Sequence, residues 1–464
     1  MISAIQWIRQ GAAAQNPEKF KFDEKEYERI NQITSDRLGD AKFDLNAAQQ
    51  EQAAMDLDSD SETEERDNNI KDDMEMNAND DGEEETQGAD PQSFMNRKDL
   101  AYYANPEEDP YITLKDDEQE LAEEKEELEV LPTDNLLLAA KTEDDVSQLE
   151  VYVYERSAEN LYVHHDIMLP SFPLCLEWLD FHCGEKAGQE GSGNYVAVGT
   201  FEPDIEIWNL DVVDAMIPQT ILGQQPGTKN KKRSKKPNDK YHVDAIMDLS
   251  WNKQHRNFLL SSSADATVKL WDLTNSTCVQ SYKHHKDKVQ SVAWNPVEAT
   301  AFITGSYDKT INVLDARVPE KVTAWKLHSD VESLVWDPHN PTNFYAATED
   351  GIIQYFDVRQ ANGSVGGKPL FTLQAHDGAV SALDVNPSIP GCVATGSTDK
   401  QVKVWNTADN KPTMVTSRNF ELGHVFSAKF CPDAPLELAI SGSNGKVHVW
   451  DMSSNAGVRQ VYGQ

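Results

Sequence analysis

The sequence predicts an all-β chain whose four-stranded units close into a seven-bladed β-propeller. One observation is the unit between His242 and Asp272, where three short apolar runs are separated by polar turns, as strands and their turns should be. A second is that positions in the first and third strands keep one spacing through five units. A third is a turn-forming residue at a fixed distance before the third-strand position. Repeats of this length and strand content are typical of propeller blades.

The register of the repeat supplies most of the evidence. First- and third-strand positions lie 20 residues apart in five units, and they pair as Trp251/Trp271, Trp294/Leu314, Trp336/Phe356, Val385/Trp405 and Phe430/Trp450. Six residues before each third-strand position stands a turn-former, namely Asp265, Asp308, Asp350, Asp399 or Asn444. Trp178 and Trp208 form a sixth pair, stretched to 30 residues by a Gly-rich insert between Gly184 and Gly193. Two independent offsets that persist through five units indicate a true repeat.

The N-terminus is predicted to supply the first strand of blade 1. Residues 2–10 resemble residues 245–254, which places Trp7 at the first-strand aromatic position; the alternative is a flexible terminus. The second, third and fourth strands are then Asn135–Ala140, Leu149–Glu155 and Leu161–Met168. The predicted domains are therefore residues 1–12 as the first strand of blade 1, residues 13–133 as an insertion into that blade, and residues 134–464 as the rest of the propeller.

Net charge separates the insertion from the propeller. The chain has a formal net charge of −37, of which residues 1–133 carry −25, from 38 acidic and 13 basic side chains. Residues 51–90 hold 17 acidic and two basic side chains and almost no large apolar ones. Such a segment cannot bury enough surface to offset the entropy of ordering, so the insertion is predicted to be largely disordered. Within the insertion, the island Asp109–Asp116 has a composition that favours order, and we expect it to dock on the propeller.

Two further features complete the chain. A basic loop at residues 228–240 is inserted between blades 2 and 3, because Trp208 and Trp271 are 63 residues apart, against 43 from Trp271 to Leu314. In blade 7, Val447–Asp451 is the third strand and Val458–Tyr462 is the predicted fourth. The five cysteines show no zinc-ligand spacing. With no signal peptide and no long apolar segment, we expect a reduced, intracellular, soluble protein that does not bind membranes.

The repeats begin with a histidine and end with Trp-Asp, an order that resembles that of WD-repeat proteins. More specific sequence phrases resemble those of the periodic tryptophan protein 1 family. These phrases are Ile5-Gln-Trp-Ile-Arg9, Asp109-Pro-Tyr-Ile-Thr-Leu-Lys-Asp116, Tyr162-Val-His-His-Asp-Ile167, Ile205-Glu-Ile-Trp-Asn-Leu-Asp211 and Gly305-Ser-Tyr-Asp-Lys309. The likeness runs nearly from end to end. It implies a nuclear, mainly nucleolar protein that associates with chromatin, including ribosomal DNA, and supports RNA polymerase I transcription and ribosome biogenesis.

The expected function is that of a non-enzymatic, monomeric scaffold without cofactors. The acidic segment would attract basic partners such as histones or ribosomal proteins, and any contact with DNA is expected to be indirect. One alternative is a pre-ribosome assembly factor. Another is a substrate receptor of a cullin-type ubiquitin ligase, because Leu314-Asp-Ala-Arg317 and Phe356-Asp-Val-Arg359 resemble the Trp-Asp-x-Arg box of such receptors, although the Trp is missing from both.

Sets of Ser or Thr, His and Asp recur in the blades and could be mistaken for catalytic triads. They are His242, Ser261, Asp265 and Trp271 in blade 3, and His376, Thr395, Asp399 and Trp405 in blade 6. His285, Thr304 and Asp308 keep three members in blade 4, and blade 5 has Ala346 in place of the hydroxyl. A nucleophilic site needs one activated serine, not repeated copies. The sets are therefore predicted to be structural tetrads that satisfy buried polar groups within each blade.

No motif predicts a catalytic or metal site. His164-His165-Asp166 could suggest metal binding, but neighbouring strand residues point to opposite faces, so the two histidines are not expected to share an ion. The sequence has no P-loop, dinucleotide fingerprint or kinase motif.

Two motifs suggest regulation. Lys231, Lys232, Arg233, Lys235 and Lys236 form a dense basic cluster, predicted to be a nuclear localisation signal; the alternative is a solvated lysine loop. Ser59 and Ser61 precede Asp60, Glu62, Glu64 and Glu65, a context that acidophilic kinases prefer. Phosphorylation would add about −1.5 to −2 charge at each site; the alternative is an unmodified polar tract.

Overall fold

The computed structural model describes residues 1–20, 125–126, 128–184, 191–224 and 238–463. Nearly all regular secondary structure in these ranges is β-strand, arranged in small antiparallel sheets. Residues 21–124 and 225–237 lie outside the described residues, and with them the acidic segment 51–90, the island Asp109–Asp116 and the basic cluster 231–236. No helix in the described part of the chain has the length and hydropathy that a membrane span requires.

Apart from one short parallel pair, the strands fall into seven sheets in chain order, which confirms the predicted seven-bladed propeller. Blade 1 contains β1 Ile2–Ile8, β3 Asn135–Glu143, β4 Val146–Glu155 and β5 Asn160–Leu169, with the short strand β2 Glu18–Lys19 between β1 and β3 in the chain. Blade 2 contains β6 Pro173–Leu179, β7 Tyr195–Thr200, β8 Ile205–Asn209 and, after the short strand β9 Val212–Val213, β10 Thr220–Leu222. Blade 3 contains β11 Ile246–Trp251, β12 Phe258–Ser263, β13 Val268–Asp272 and β14 Thr277–Tyr282.

The remaining blades follow the same order. Blade 4 contains β15 Val289–Trp294, β16 Ala301–Ser306, β17 Thr310–Asp315 and β18 Val322–Lys326. Blade 5 contains β19 Val331–Trp336, β20 Asn343–Thr348, β21 Ile352–Asp357 and β22 Phe371–Gln374. Blade 6 contains β23 Ala382–Val385, β24 Cys392–Gly396, β25 Val402–Asn406 and β26 Thr413–Arg418, and blade 7 contains β27 Val425–Phe430, β28 Glu437–Gly442 and β29 Val447–Asp451.

The first strands of the blades form a closed ring. In sequence order β1, β6, β11, β15, β19, β23 and β27 each contact the next, and β27 contacts β1. Buried apolar side chains fill the spaces between neighbouring blades rather than a single central core. Each blade therefore buries both of its faces only because the ring is complete.

Ring closure uses the N-terminal strand. β1 pairs with β3 so that Trp7 lies opposite Leu137 and Ile5 opposite Ala139. Trp7 is 5% exposed. Its indole Nε1 donates a 3.0 Å hydrogen bond to the carbonyl of Lys429 in blade 7, and its ring meets Tyr154 edge-on at 5.9 Å. The N-terminal strand thus joins the last blade to the first.

The two ends of the segment between β1 and β3 lie together. The amide of Val130 donates to the carbonyl of Gln15 at 3.0 Å, and the amide of Ala14 donates to the Asp211 carboxylate at 2.9 Å. β2 pairs in parallel with β9 of the blade 2 region. Residues 12–20 and 128–134 are therefore fixed against blades 1 and 2, where the chain leaves the propeller and returns to it.

The predicted fourth strand of blade 7 is wrong. Residues 456–462 form a helix, α1 Ala456–Tyr462, capped by Asn455, whose side chain accepts from the amides of Gly457 and Val458. Val458 is buried in the apolar cluster of blades 6 and 7, and the Tyr462 hydroxyl donates to the carbonyl of Trp405 at 2.9 Å. Val458, Val461 and Tyr462 lie at helical spacing, and the Asn455 cap together with tertiary burial favours the helix over a strand.

Because Trp7 closes the ring, Trp7→Ala should cost about 3–5 kcal/mol of unfolding free energy, measured by urea denaturation of the full chain. Trp7→Phe is the matched control and should lose less, since it keeps most of the apolar ring and removes the bond to the Lys429 carbonyl. Unchanged stability of Trp7→Ala would contradict the closing role of β1.

Candidate functional site

The structure brings the four residues of the blade 3 tetrad into one hydrogen-bonded chain. His242 Nδ1 lies 3.0 Å from Asp265 Oδ2, and His242 Nε2 lies 2.7 Å from Ser261 Oγ. The indole of Trp271 donates to the same Oγ at 2.8 Å. With the aspartate accepting from Nδ1–H, the serine hydroxyl donates to Nε2 and accepts from the indole. All four polar side chains are satisfied inside the blade.

Blades 6 and 4 repeat this arrangement in full and in part. In blade 6, His376 bonds Asp399 at 2.9 Å and Thr395 at 2.7 Å, and the Trp405 indole donates to Thr395 at 3.0 Å. In blade 4, His285 bonds Asp308 at 3.0 Å and Thr304 at 2.8 Å, and Leu314 replaces the tryptophan. In these three blades the turn-formers found in the sequence, Asp265, Asp308 and Asp399, are therefore the residues that orient the histidines.

Burial and hydrogen bonding fix the charge states of the tetrads. Burial lowers the pKa of His242, against the opposing influence of Asp265. Burial alone would raise the pKa of Asp265, but hydrogen bonds from His242 and Thr267 hold that pKa at about 2. A neutral histidine beside an ionised aspartate is thus the form present at neutral pH.

The blade 3 tetrad resembles a triad in its distances but not in its access to solvent. Ser261 is fully buried and His242 is 1% exposed. The Trp271 indole N–H donates a hydrogen bond to the serine oxygen, so a substrate carbonyl has no approach to that oxygen. The geometry therefore supports an internal structural role for these residues.

The structure contradicts the expectation that His164 and His165 point apart. Their Nδ1 atoms lie 2.8 Å from each other, because a β-bulge in β5 leaves His164 without a partner opposite β4. His164 Nε2 lies 3.0 Å from the carbonyl of Leu128 and so donates to it. His164 Nδ1 must then accept from His165, and burial lowers the pKa of His165 to about 4. The pair holds the returning end of the insertion; no third metal-binding side chain joins it within the described residues.

A central channel of about 1170 Å³ is lined by the first strands. Carboxylates there bridge neighbouring blades. Glu177 accepts from the amide of Trp251 at 3.1 Å, Asp248 accepts from the Ser291 hydroxyl at 3.0 Å and the Val292 amide at 2.9 Å, and Asp384 accepts from the Phe430 amide at 2.8 Å. Removal from water raises the pKa of Glu177 to about 7. These acids act as braces between blades, which sequence reasoning did not find because their spacing to the repeat positions varies.

Sequence reasoning also missed one buried lysine, Lys269, and one half-buried lysine, Lys403. Lys269 in blade 3 donates to the carbonyl of Asn238 and to the Ser281 hydroxyl, and Lys403 in blade 6 donates to the carbonyl of Ala375 at 2.7 Å. Each stands two residues before the tryptophan of its tetrad, so a fixed offset could have revealed them. Lys269 fixes the residue at which the basic loop rejoins blade 3.

The remaining candidate residues cannot be placed. The five basic residues 231–233, 235 and 236 lie in the range 225–237, and Ser59 and Ser61 lie in the range 21–124; both ranges are outside the described residues. Nuclear import and phosphorylation at these positions stay predictions.

Comparison with known proteins agrees with the propeller. The family model for the WD domain, G-beta repeat, matches residues 237–272, 276–315, 367–406 and 416–451. The whole chain aligns with an uncharacterised WD repeat-containing protein of Schizosaccharomyces pombe at 50% identity, covering 91% of that protein. It also aligns over its whole length with periodic tryptophan protein 1 of Saccharomyces cerevisiae at 36% identity, covering 90% of that protein, and with the Drosophila melanogaster homolog at 30%, covering 96%.

If the tetrads are structural, Ser261→Ala should destabilise the protein by about 1–3 kcal/mol, because it leaves His242 Nε2 and the Trp271 indole N–H without a partner inside the blade. Ser417→Ala is the control. It removes an exposed hydroxyl that bonds only Gln401, and it should change stability by less than about 0.5 kcal/mol. Equal urea midpoints for the two variants would contradict the structural role.

Proposed function

Because the chain belongs to the periodic tryptophan protein 1 family of WD-repeat scaffold proteins, we propose that it is a non-enzymatic scaffold of the nucleus, mainly the nucleolus. In this proposal it associates with chromatin, including ribosomal DNA, and supports RNA polymerase I transcription and ribosome biogenesis. Contact with DNA is indirect, through protein partners, and the propeller is monomeric.

The observation that carries the scaffold role is the internal use of the reactive side chains. The Ser–His–Asp set of blade 3 and the Thr–His–Asp set of blade 6 are held by hydrogen bonds inside the blades, and the channel acids are held by bonds between blades. What such a propeller offers to other molecules is its surface, its loops and its strand edges.

Charge indicates which partners that surface attracts. The net charge of −37 repels nucleic acid and attracts basic proteins over about 8 Å at physiological salt. Histones and ribosomal proteins are strongly basic, so either class fits the proposal. The basic cluster Lys231, Lys232, Arg233, Lys235 and Lys236 is a local exception, which supports its role as an import signal.

The role of ubiquitin-ligase receptor is less well supported. Arg317 is held by the carboxylate of Asp315, at 2.7 Å from Nη2 and 3.0 Å from Nε. Arg359 is held in the same way by Asp357, at 2.8 and 3.0 Å. A ligase adaptor would have to displace these bidentate pairs. The other alternative is a role in pre-ribosome assembly. The charge argument is compatible with it, because ribosomal proteins are as basic a class of partner as histones.

Fractionation of nuclear extract separates the two functions. The proposal expects the protein to remain with ribosomal DNA in chromatin immunoprecipitation after RNase treatment. A chain with residues 51–90 deleted should be released at lower salt, since it lacks much of the acidic charge. Sedimentation with pre-ribosomal particles, abolished by RNase and accompanied by loss of the ribosomal DNA signal, would instead support the assembly factor.

The import signal predicts a second result. Replacing Lys231, Lys232, Arg233, Lys235 and Lys236 with Ser should move the protein toward the cytoplasm, as measured by fluorescence imaging of a tagged full chain. The fold should be retained because the cluster belongs to an insertion between blades. The control replaces Lys283, Lys286, Lys309, Lys321 and Lys326, which are dispersed over blades 3 and 4, with Ser. Unchanged nuclear accumulation of the cluster variant would contradict the import role.

A further inference from the structure

Blade 7 differs from the other six blades at its outer edge. Each of the other six blades has four strands, whereas β27, β28 and β29 form a three-stranded sheet in the part of the chain that the structure describes. β29 is therefore an edge strand at the position where the other blades carry a fourth strand. An unpaired edge of this kind is a template for a further strand.

The backbone groups that face outward at this edge can be identified. The amide of Met452 donates to the carbonyl of Leu436 at 2.9 Å. In an antiparallel ladder, bonded and non-bonded pairs alternate, so Trp450 and His448 also bond inward to β28. The N–H and C=O groups of Val447 and Val449 then point away from the sheet. The equivalent residues in blade 3, Val268 and Leu270, pair with the fourth strand β14.

The C-terminal segment does not fill this place. After β29 the chain turns through residues 452–454 into α1, which contacts β26 of blade 6. Asn455 Nδ2 donates to Thr416 Oγ1 at 3.1 Å, and a Cβ on Gly457 would stand 2.8 Å from the carbonyl of Val415. No hydrogen bond to the N–H or C=O of Val447 or Val449 is formed by the described residues.

The side chains around the edge define what an added strand would meet. Val447 and Val449 share one face of β29 and pack, half-buried, beside the cluster of Trp7 and Tyr154, as do Tyr152 and Leu161 of blade 1. On the opposite face Phe420 lies 4.8 Å from His448 and 5.1 Å from Trp450. The blade 1 side is thus an apolar cleft that is only partly filled.

One end of this cleft is acidic. Asp451 lies opposite Glu437 across β28 and β29. Arg156 Nε forms an ion pair with Glu437 Oε1 at 2.9 Å. The Glu437 side chain is only 7% exposed, and its other oxygen, Oε2, has no hydrogen-bond partner among the described residues. Burial, and then the charges of Glu437, Glu159 and Asp451, raise the pKa of Tyr154 to about 12.

We propose that β29 binds an extended segment of a partner protein as the missing fourth strand of blade 7, antiparallel to β29, with apolar side chains opposite Val449 and Val447 and a basic side chain opposite Asp451. Antiparallel pairing puts the N-terminal end of that segment beside Asp451. Glu437 lies on β28, two strand spacings or about 10 Å from the added strand. A long basic side chain on that strand and the glutamate side chain can together span this distance. The proposal adds a binding site to the scaffold function and does not depend on chromatin association.

Charge favours a basic partner over a second copy of this chain. Two copies that joined through β29 would each bring a net charge of −37 to the contact, whereas a segment with a basic end is attracted to the acidic end of the cleft. The fourth strands of blades 3 to 6, such as Thr413–Arg418, show the length required, four to six residues.

The test uses the full chain and the labelled peptide acetyl-Lys-Thr-Val-Thr-Val-Thr-amide, with binding followed by fluorescence polarisation. In the proposed register the first valine bonds Val449 through its backbone, and the threonine between the valines points its N–H away. N-methylation of the first valine should therefore weaken binding by about tenfold or more. N-methylation of that threonine is the matched control and should change binding much less.

A protein variant gives an independent check. Val449→Pro removes an outward N–H and no bond to β28, a position at which edge strands tolerate proline, and it should abolish peptide binding with little change in thermal melting. If this variant does not fold, the two methylated peptides still decide the question with the natural chain. Hydrogen exchange of fragments covering residues 446–451 should slow when the peptide is added.

Three results would overturn the proposal. One is absence of binding at about 1 mM peptide, a concentration that detects even weak association. Another is equal weakening by both methylated peptides. The third is that the amides of Val447 and Val449 are already protected in the isolated chain. Protection independent of concentration would assign the edge to a segment of the chain itself, and protection that rises with concentration would assign it to a second copy.

Discussion

The structure depends on the insertion of β1 between the last blade and the second. Each blade has two apolar faces and can bury them only against its neighbours, so the free energy of every interface requires that the ring be closed. Closure comes from Trp7, which packs on Tyr154 and donates to the Lys429 carbonyl. The channel acids continue this pattern, since Asp248 and Asp384 each accept from an amide of the next blade.

Closure by the N-terminal strand explains how blade 1 accommodates a long insertion. The chain leaves and re-enters at adjacent points, fixed by the bond from Val130 to Gln15 and by the pairing of β2 with β9. Loop-closure entropy grows only slowly with loop length, so the length of the intervening chain has little effect on the pairing of β1 with β3. His164 adds a further contact at the returning end, through the Leu128 carbonyl.

The sequence predicted the parts of the fold that repeat and failed where a blade departs from the repeat. Fixed offsets identified the tetrads, because His242, Ser261, Asp265 and Trp271 recur as a set in blade 6. The His164–His165 contact could not be predicted, since it depends on a single bulge that breaks the alternation of β5. The helical conformation of residues 458–462 could not be predicted either, because it depends on the Asn455 cap and on burial of Val458 against another blade.

Among the described residues blade 7 has three strands, and this follows from the same closure. Here β1 closes the ring at its innermost position, so the outer edge of blade 7 contributes nothing to closure. The last residues instead pack as α1 on blade 6, where Val458 is buried and Tyr462 bonds the Trp405 carbonyl. Binding energy at β29 can therefore come from another protein without any change in the ring, and the partly filled apolar cleft and the unpartnered Glu437 oxygen supply it.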